Sequence, residues 1–376
     1  MTNAPAYDPL QIGIRLLLCT FAGLFFLFGQ ILVPGRLFRG ETLGMYIVTG
    51  GAGFIGSNLV HEMNAHGIAD ILVVDNLANV KKFRNLHGAR YVDYMDKREF
   101  RRAIAENALA AGRIEAILHQ GACSNTLEDD GVYMMDNNCQ FTKDVLAFAI
   151  RQGAPLVFAS TAAVYGLSGP GRFAPAIENE RPLNIYGYSK LVFDRYFRNQ
   201  LALDQVPVTA VGLRYFNAYG PREQHKGRMA SVVHHFAKQM KDTGKVRLFA
   251  GSGGYGDGEQ RRDFVYVRDL ARLNMFFAQI GPFAPKPGES AKTYRGVVNA
   301  GSGLSRSFND VAKALMKVHG QTPIEYIPFP ADLEGRYQHF TEADLTALRQ
   351  LGCPIQFTAL EAGIVETFAT LQAIGD

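Results

Sequence analysis

A short apolar run, residues 46–49, passes directly into Gly50-Gly51-Ala52-Gly53-Phe54-Ile55-Gly56 and then into a stretch with helical spacing. No other feature constrains the chain as tightly. A strand that turns into a helix through glycines leaves the first N–H groups of that helix free, and these attract phosphate oxygens. In this pattern Gly50 permits the tight turn, Gly53 lets the backbone approach a pyrophosphate, and Gly56 allows the helix to pack closely on the strand. A second apolar run, residues 71–74, ends at Asp75, about 25 residues downstream, where a carboxylate reaches an adenosine ribose. Strand, glycine turn, helix and acid together predict a dinucleotide-binding α/β fold. The choice between NAD and NADP stays open at this point. Asp75 repels a 2′-phosphate, whereas Lys81, Lys82 and Arg84 in the following loop would neutralise one.

Further apolar runs recur at residues 116–119, 156–159 and 208–213, with helical spacing at 57–65, 134–151 and 191–203. Runs apolar on both faces belong to a parallel sheet covered by helices on each side. The expected architecture is a doubly wound parallel (Rossmann) sheet, mainly residues 45–220. A smaller substrate-binding lobe is expected mainly from 221–376, with some segments returning to the first. Residues 251–256 match GxGxxG by letter, but no strand–turn–helix pattern surrounds them, so a flexible loop is expected there. The net charge of +4 comes without a dense Lys/Arg block, which argues against a nucleic-acid partner. Cys19, Cys123, Cys139 and Cys353 form no CxxC, which fits a reduced compartment rather than a disulfide scaffold. His61-Glu62 with His66 misses the HExxH spacing and reads as a solvent-facing helix. The adjacent His234-His235 cannot both face one site, so no metal is expected.

Residues 16–33 carry no charge and would span roughly 27 Å as a helix, near the thickness of a bilayer core. Arg36 and Arg39 follow, so a spanning helix would leave the bulk of the chain on the cytoplasmic side. The other reading is that residues 1–44 are not translated and the working chain starts at Met45. Either way the catalytic part is expected in the cytoplasm, free or tethered to the inner membrane.

Tyr186 and Lys190 lie at i, i+4, on one helix face. A phenol is a poor base at neutral pH, and a neighbouring ammonium favours its phenolate. The same Lys190 can hold a nicotinamide ribose. Upstream, the run 156–159 leads into Ser160-Thr161, a hydroxyl at a strand's C-terminal end that can hydrogen-bond a substrate oxygen.

Together with Arg262-Asp263-Phe264-Val265-Tyr266-Val267, these motifs resemble the extended short-chain dehydrogenase/reductases that act on nucleotide sugars. Several blocks are similar to the ADP-heptose 6-epimerase branch of that family: residues 119–124, 133–138, 182–190 and 214–223, then His225-Lys226-Gly227, 327–330 and 335–338. The resemblance implies a redox-neutral inversion at C6 of an ADP-linked heptose, serving lipopolysaccharide core assembly. A tightly bound NADP would take a hydride and return it to the other face of a transient 6-ketone. It also implies a homo-oligomer, a pentamer by the family's pattern.

By the same resemblance Tyr186 takes the hydroxyl proton, Thr161 bonds the same oxygen, Lys190 tunes Tyr186, and Lys226 is a second acid/base. Cofactor contacts would come from Gly50, Gly53, Phe54, Ile55, Gly56, Asp75, Asn76, Lys82, Lys97, Gln120, Gly121, Ala122, Cys123, Ser124, Asn137, Lys190, Ala218 and Lys226. Substrate contacts would come from Asn217, Arg228, His235, Phe249, Ala250, Gly251, Ser252, Arg262 and Tyr337. This chain departs from the family pattern at Thr161 (usually Ser), Gln120 (usually Glu) and Arg228 (usually Ser), and its 251–258 loop is longer. A nucleotide-sugar 4,6-dehydratase would need Asp-Glu after Thr161, where Ala162-Ala163 stand. A UDP-sugar 4-epimerase shares the general motifs, and only the more specific blocks and Lys226 argue against it. A non-catalytic NAD(P)-sensing regulator would have no need of Tyr186, Lys190 and Thr161 together. The intact mass of the native protein is expected to show directly whether residues 1–44 are present.

Overall fold

The apolar runs become strands of one sheet in the computed structural model, which describes residues 44–109, 112–331, 335 and 337–375. The expectations for residues 1–43 therefore lie outside the described residues. Strand β1 (Met45–Thr49) leads through the glycine turn into helix α1 (Phe54–Ala65), then β2 (Ile71–Asp75), β3 (Asp93–Asp96) and α2 (Lys97–Ala105). The chain continues through β4 (Ile114–His119), α3 (Phe141–Gln152), β5 (Leu156–Thr161), α4 (Ile185–Ala202) and β6 (Ala210–Tyr215). Past these come β7 (Asn217–Tyr219), α5 (Val232–Thr243), β8 (Val246–Phe249), β9 (Arg261–Tyr266) and α6 (Val267–Ala278). Then follow β10 (Arg295–Ala300), β11 (Ser305–Ser307), α7 (Phe308–His319), β12 (Ile324–Ile327) and α8 (Leu360–Ile374).

Seven strands pair in parallel in the order β10-β6-β5-β4-β1-β2-β3. The two-residue period of a strand divides its apolar side chains between two cores. Val48, Val73, Leu118, Val157 and Val211 pack with Leu59, Met63, Leu270 and Phe277 of α1 and α6. Ile47, Leu72, Val74, Ile117 and Phe158 pack with Phe100, Val145, Phe148, Phe193 and Phe197 of α2, α3 and α4. Burial on both faces is why these strands read as unbroken apolar runs. Strand β3 does not, because its Asp93-Tyr94-Met95-Asp96 forms the partly exposed sheet edge.

From β7 onward the chain builds two small sheets, β11-β9-β7 and β12-β8, around a third core with Phe236, Leu248, Phe264, Val311 and Leu315. It returns to the main sheet as α6 and β10. His66 is exposed, but the His61-Glu62 part of α1 is not solvent-facing as expected. Glu62 is buried and ion-paired with Arg268 of α6 at 2.9 Å, because α6 packs along this helix. Among the described residues no helix is long and apolar enough to cross a membrane.

A buried ion network ties α4 to the sheet. The Arg214 guanidinium on β6 has no solvent exposure and donates to Asp194 of α4 at 2.9 Å and to Glu180. Ser160 on β5 also donates to Asp194, at 2.9 Å, and Arg214 lies 5.1 Å from the Tyr165 ring. Removing one partner leaves an uncompensated buried charge, which costs about 3–5 kcal/mol. Arg214→Met is therefore expected to lose stability of that order in urea unfolding. A loss below about 1 kcal/mol, the worth of an exposed pair, would mean that the network does not hold the helix.

Candidate active site

The strand order reverses between β1 and β4, and the C-terminal ends of β1, β4 and β5 open there on a cavity of about 1050 Å³. One wall is the glycine turn. Gly50 has φ +65°, and a Cβ at Gly56 would lie 2.1 Å from the Gly50 carbonyl oxygen, so the first turn of α1 sits directly on the loop. Helix α1 has no side-chain cap, and Gly53, Phe54, Ile55 and Gly56 all line the cavity. Uncapped N–H groups facing a cavity of this size suit a dinucleotide pyrophosphate.

Asp75 lines the cavity but is largely occupied. It accepts from the Ala52 N–H at 2.9 Å, the Asn76 N–H at 2.6 Å and Lys82 Nζ at 2.7 Å. It thereby braces the glycine turn. Lys82, Lys97 and Asn76 face the cavity, whereas Lys81 and Arg84 are exposed and lie outside its lining. Lys97 donates to Asn137 at 2.6 Å. Burial lowers its pKa, as do the neighbouring Lys82 and Arg98 cations.

Gln120, Gly121, Ala122, Cys123 and Ser124 after β4 form the next part of the wall. Asn138, the last residue of the 133–138 block and given no role from sequence, holds this loop. Cys123 N–H donates to its Oδ1 at 2.8 Å, and its Nδ2 donates to the Cys123 carbonyl at 3.0 Å. Asn138 lies in a π-helical turn, Met135–Gln140, just before α3; such widened turns bring successive side chains inward, as Asn137 and Asn138 show. Gln120 joins a closed ring: Tyr215 OH donates to Gln120 at 2.7 Å, Gln120 to Asn274 at 2.8 Å, and Asn274 to Tyr215 at 2.8 Å. An amide supplies both the donor and the acceptor that this neutral ring needs; a carboxylate would not.

Helix α4 is capped by Asn184, which accepts the Gly187 N–H at 2.9 Å. This start places Tyr186 and Lys190 at the cavity beside Thr161. The Thr161 hydroxyl hydrogen-bonds the Tyr186 phenol and lowers its pKa, but burial is larger and holds the phenol above its ordinary value. Lys190 Nζ donates to the Ala159 carbonyl at 2.9 Å. Its pKa is pushed down to about 8 by burial, with Asp194 opposing. Thr161 is thus a group that eases Tyr186 ionisation against its burial, while the Lys190 ammonium meets the Ala159 carbonyl.

Asn217, Ala218, Lys226, Arg228, Arg262 and Tyr337 also line the cavity. Lys226 Nζ stands 5.1 Å over the Phe54 ring and makes no hydrogen bond or ion pair among the described residues. Burial lowers its pKa, with Glu223 opposing. The Arg262 guanidinium lies 4.7 Å from the Tyr337 ring. His235, Phe249, Ala250, Gly251 and Ser252, expected at the substrate, do not line the cavity. Phe249 packs behind Tyr337 with ring centres 6.1 Å apart, and His235 is bonded to the Arg228 carbonyl at 3.3 Å. The expected flexible loop is a tight hairpin instead. Ser252 and Tyr255 exchange backbone hydrogen bonds across Gly253 and Gly254, at φ +58° and +85°. Two consecutive positive φ values are what such a two-residue turn requires.

Residues 46–288 match the NAD dependent epimerase/dehydratase family. The chain is 51% identical over 321 residues to an ADP-L-glycero-D-manno-heptose-6-epimerase of Alkalilimnicola ehrlichii, covering 85% of this chain and 95% of that one. Among solved structures it is similar to the Helicobacter pylori ADP-L-glycero-D-manno-heptose-6-epimerase, with a TM-score of 0.70 and 29% identity, over 90% of this chain and 100% of that one. It is also similar to the Thermus thermophilus UDP-glucose 4-epimerase in complex with NAD, with a TM-score of 0.66 and 29% identity, over 87% and 99% of the two chains.

The depressed pKa of Lys190 has a testable consequence. Its folded pKa of about 8 lies below the ordinary 10.5, so the unfolded chain binds more protons between these values and stability rises with pH across that window. Relative to Lys190→Met, the wild-type protein without cofactor is expected to gain about 3 kcal/mol from pH 8 to 10.5. A flat difference in paired unfolding curves would contradict it.

Proposed function

The chain belongs to the NAD dependent epimerase/dehydratase family, and on that premise we propose that it interconverts ADP-D-glycero-D-manno-heptose and ADP-L-glycero-D-manno-heptose. The observation that carries this reading is that two proton-carrying groups, Tyr186 and Lys226, reach one cavity from separate elements. Inversion at a secondary alcohol requires proton handling with the hydroxyl presented in two orientations. The 51% identity to the Alkalilimnicola enzyme supports the ADP-linked heptose as substrate.

A bound nicotinamide supplies a reversible hydride acceptor, without which an unactivated C–H cannot be broken. Tyr186 takes the hydroxyl proton in one orientation while Thr161 bonds the same oxygen. Lys226, whose neutral form burial favours, serves the other orientation. Lys190 stays as the buried cation beside the ribose. Arg262, Tyr337, Asn217 and Arg228 receive the nucleotide sugar. The Lys82 cation lowers the Lys97 pKa at the adenosine end, and an anion there would relieve Lys97. That supports NADP over NAD, with Asp75 spent on the glycine turn. The family resemblance implies a homo-oligomer, for which native mass is the direct measurement.

Purified protein incubated with ADP-D-glycero-D-manno-heptose is expected to yield the L-glycero isomer by NMR, and to leave UDP-glucose unchanged. Conversion of UDP-glucose alone would favour a 4-epimerase. Tyr186→Phe and Lys226→Ala are each expected to lower kcat by about 10²–10⁴ with little change in KM; full activity in either removes that residue from the mechanism. Lys82→Ala combined with Lys97→Ala is expected to weaken NADP binding by roughly tenfold or more while sparing NAD, read by titration.

A further inference from the structure

Three segments distant in sequence meet at the Asn85 side chain, which has no place in the motifs. Asn85 is the penultimate residue of the 3₁₀ segment Val80–Leu86 after β2 and is 5% exposed. Its amide nitrogen donates to the Ala52 carbonyl of the glycine turn at 2.9 Å and meets His225 Nδ1 at 3.0 Å. Its own carbonyl is bonded by His61 Nε2 of α1 at 3.0 Å. At the start of the same segment, Asn79 Nδ2 donates to the His225 carbonyl at 2.9 Å, while Asn79 Oδ1 accepts the Lys81 N–H. Residue 225 is therefore fastened through both its ring and its backbone to the segment that carries Lys82. Asn79, Lys82, His225, Lys226 and Phe54 all line the cavity.

The donor count settles the tautomer. An amide NH₂ only donates, so His225 Nδ1 accepts and the ring is neutral with its proton on Nε2. Burial, with the Lys82 and Lys226 cations, pushes the His225 pKa down to about 4, opposed by Asp75 and by the Arg222 backbone. The fastening is thus complete at neutral pH.

We propose that Asn85 is a positioning residue that, with Asn79, latches the His225-Lys226 segment over the glycine turn, holding Lys226 at the cavity and keeping the dinucleotide from leaving between turnovers. The latch rests on the reading of this cavity as the cofactor site and of Lys226 as an acid/base. A redox-neutral reaction returns its cofactor unchanged, so an enclosed dinucleotide needs no exchange with solvent. Asn85→Ala deletes both amide bonds and frees the segment. Asn79→Asp keeps the bond to the Lys81 N–H but loses the donor to residue 225.

The test measures release of bound NADP from the loaded, desalted full-length enzyme by dilution and rapid filtration, alongside epimerisation. Asn85→Ala is expected to release the cofactor at least roughly tenfold faster, and Asn79→Asp a few-fold faster. Asn64→Ala, which removes bonds to the Ile68 and Arg90 carbonyls away from the cavity, is the control and is expected to release it at the wild-type rate. Equal acceleration in the control, or wild-type release in Asn85→Ala, overturns the latch. If Asn85→Ala does not fold, Asn79→Asp decides: wild-type release in it overturns the proposal. If Lys226→Ala epimerises at the wild-type rate while Asn85→Ala still sheds cofactor, the acid/base reading of Lys226 fails and the latch stands.

Discussion

The buried contact between Arg214 and Asp194 sets the position on which the candidate chemistry depends. Asp194 stands one turn beyond Lys190 and two beyond Tyr186 on the same face of α4, and the network fixes that face against β5 and β6. Ser160, which donates to Asp194, immediately precedes Thr161, so the same carboxylate aligns both hydroxyl-bearing sides of the site. Desolvation makes buried ion pairs poor sources of net stability, but two charges with few alternative partners favour a single register. Asp194 also offsets part of the burial penalty on Lys190.

A second constraint is close backbone approach at the glycine turn. With Gly56 pressed on Gly50 and Asp75 holding the Ala52 N–H, the start of α1 faces the cavity uncapped. Lys82, Lys97, Lys226, Arg228 and Arg262 line the same space. A chain of slight net charge thereby presents a strongly cationic interior, which suits two diphosphate-bearing ligands. The cations carry different costs: Arg262 is packed against Tyr337, whereas Lys226 meets the face of Phe54 and the attraction of Glu223.

Much of the fold was legible because its signals are local. Strands buried on both faces must be apolar throughout, and a helix that carries Tyr186 and Lys190 four residues apart must present them together. Strand β3 was illegible because a sheet edge tolerates Asp93 and Asp96. That Phe249 packs against Tyr337, which lines the cavity, was illegible because the two lie 88 residues apart in the chain. Residues 251–256 read as a flexible loop, and only the paired backbone of Ser252 and Tyr255 makes the segment a hairpin.

The amino-acid sequence by itself determined the parallel sheet, the phosphate-binding turn and the pairing of Tyr186 with Lys190, since each follows from backbone sterics or helical spacing within a few residues. Only the tertiary structure decided which cations enter the cavity, that Thr161 bonds the Tyr186 phenol while Lys190 meets the Ala159 carbonyl, and that Asn85, Asn138 and Arg214 hold the parts in register. Those outcomes depend on hydrogen bonds between residues that chain folding alone brings within 3 Å, and on burial, which changes the cost of a charge without changing the residue that bears it.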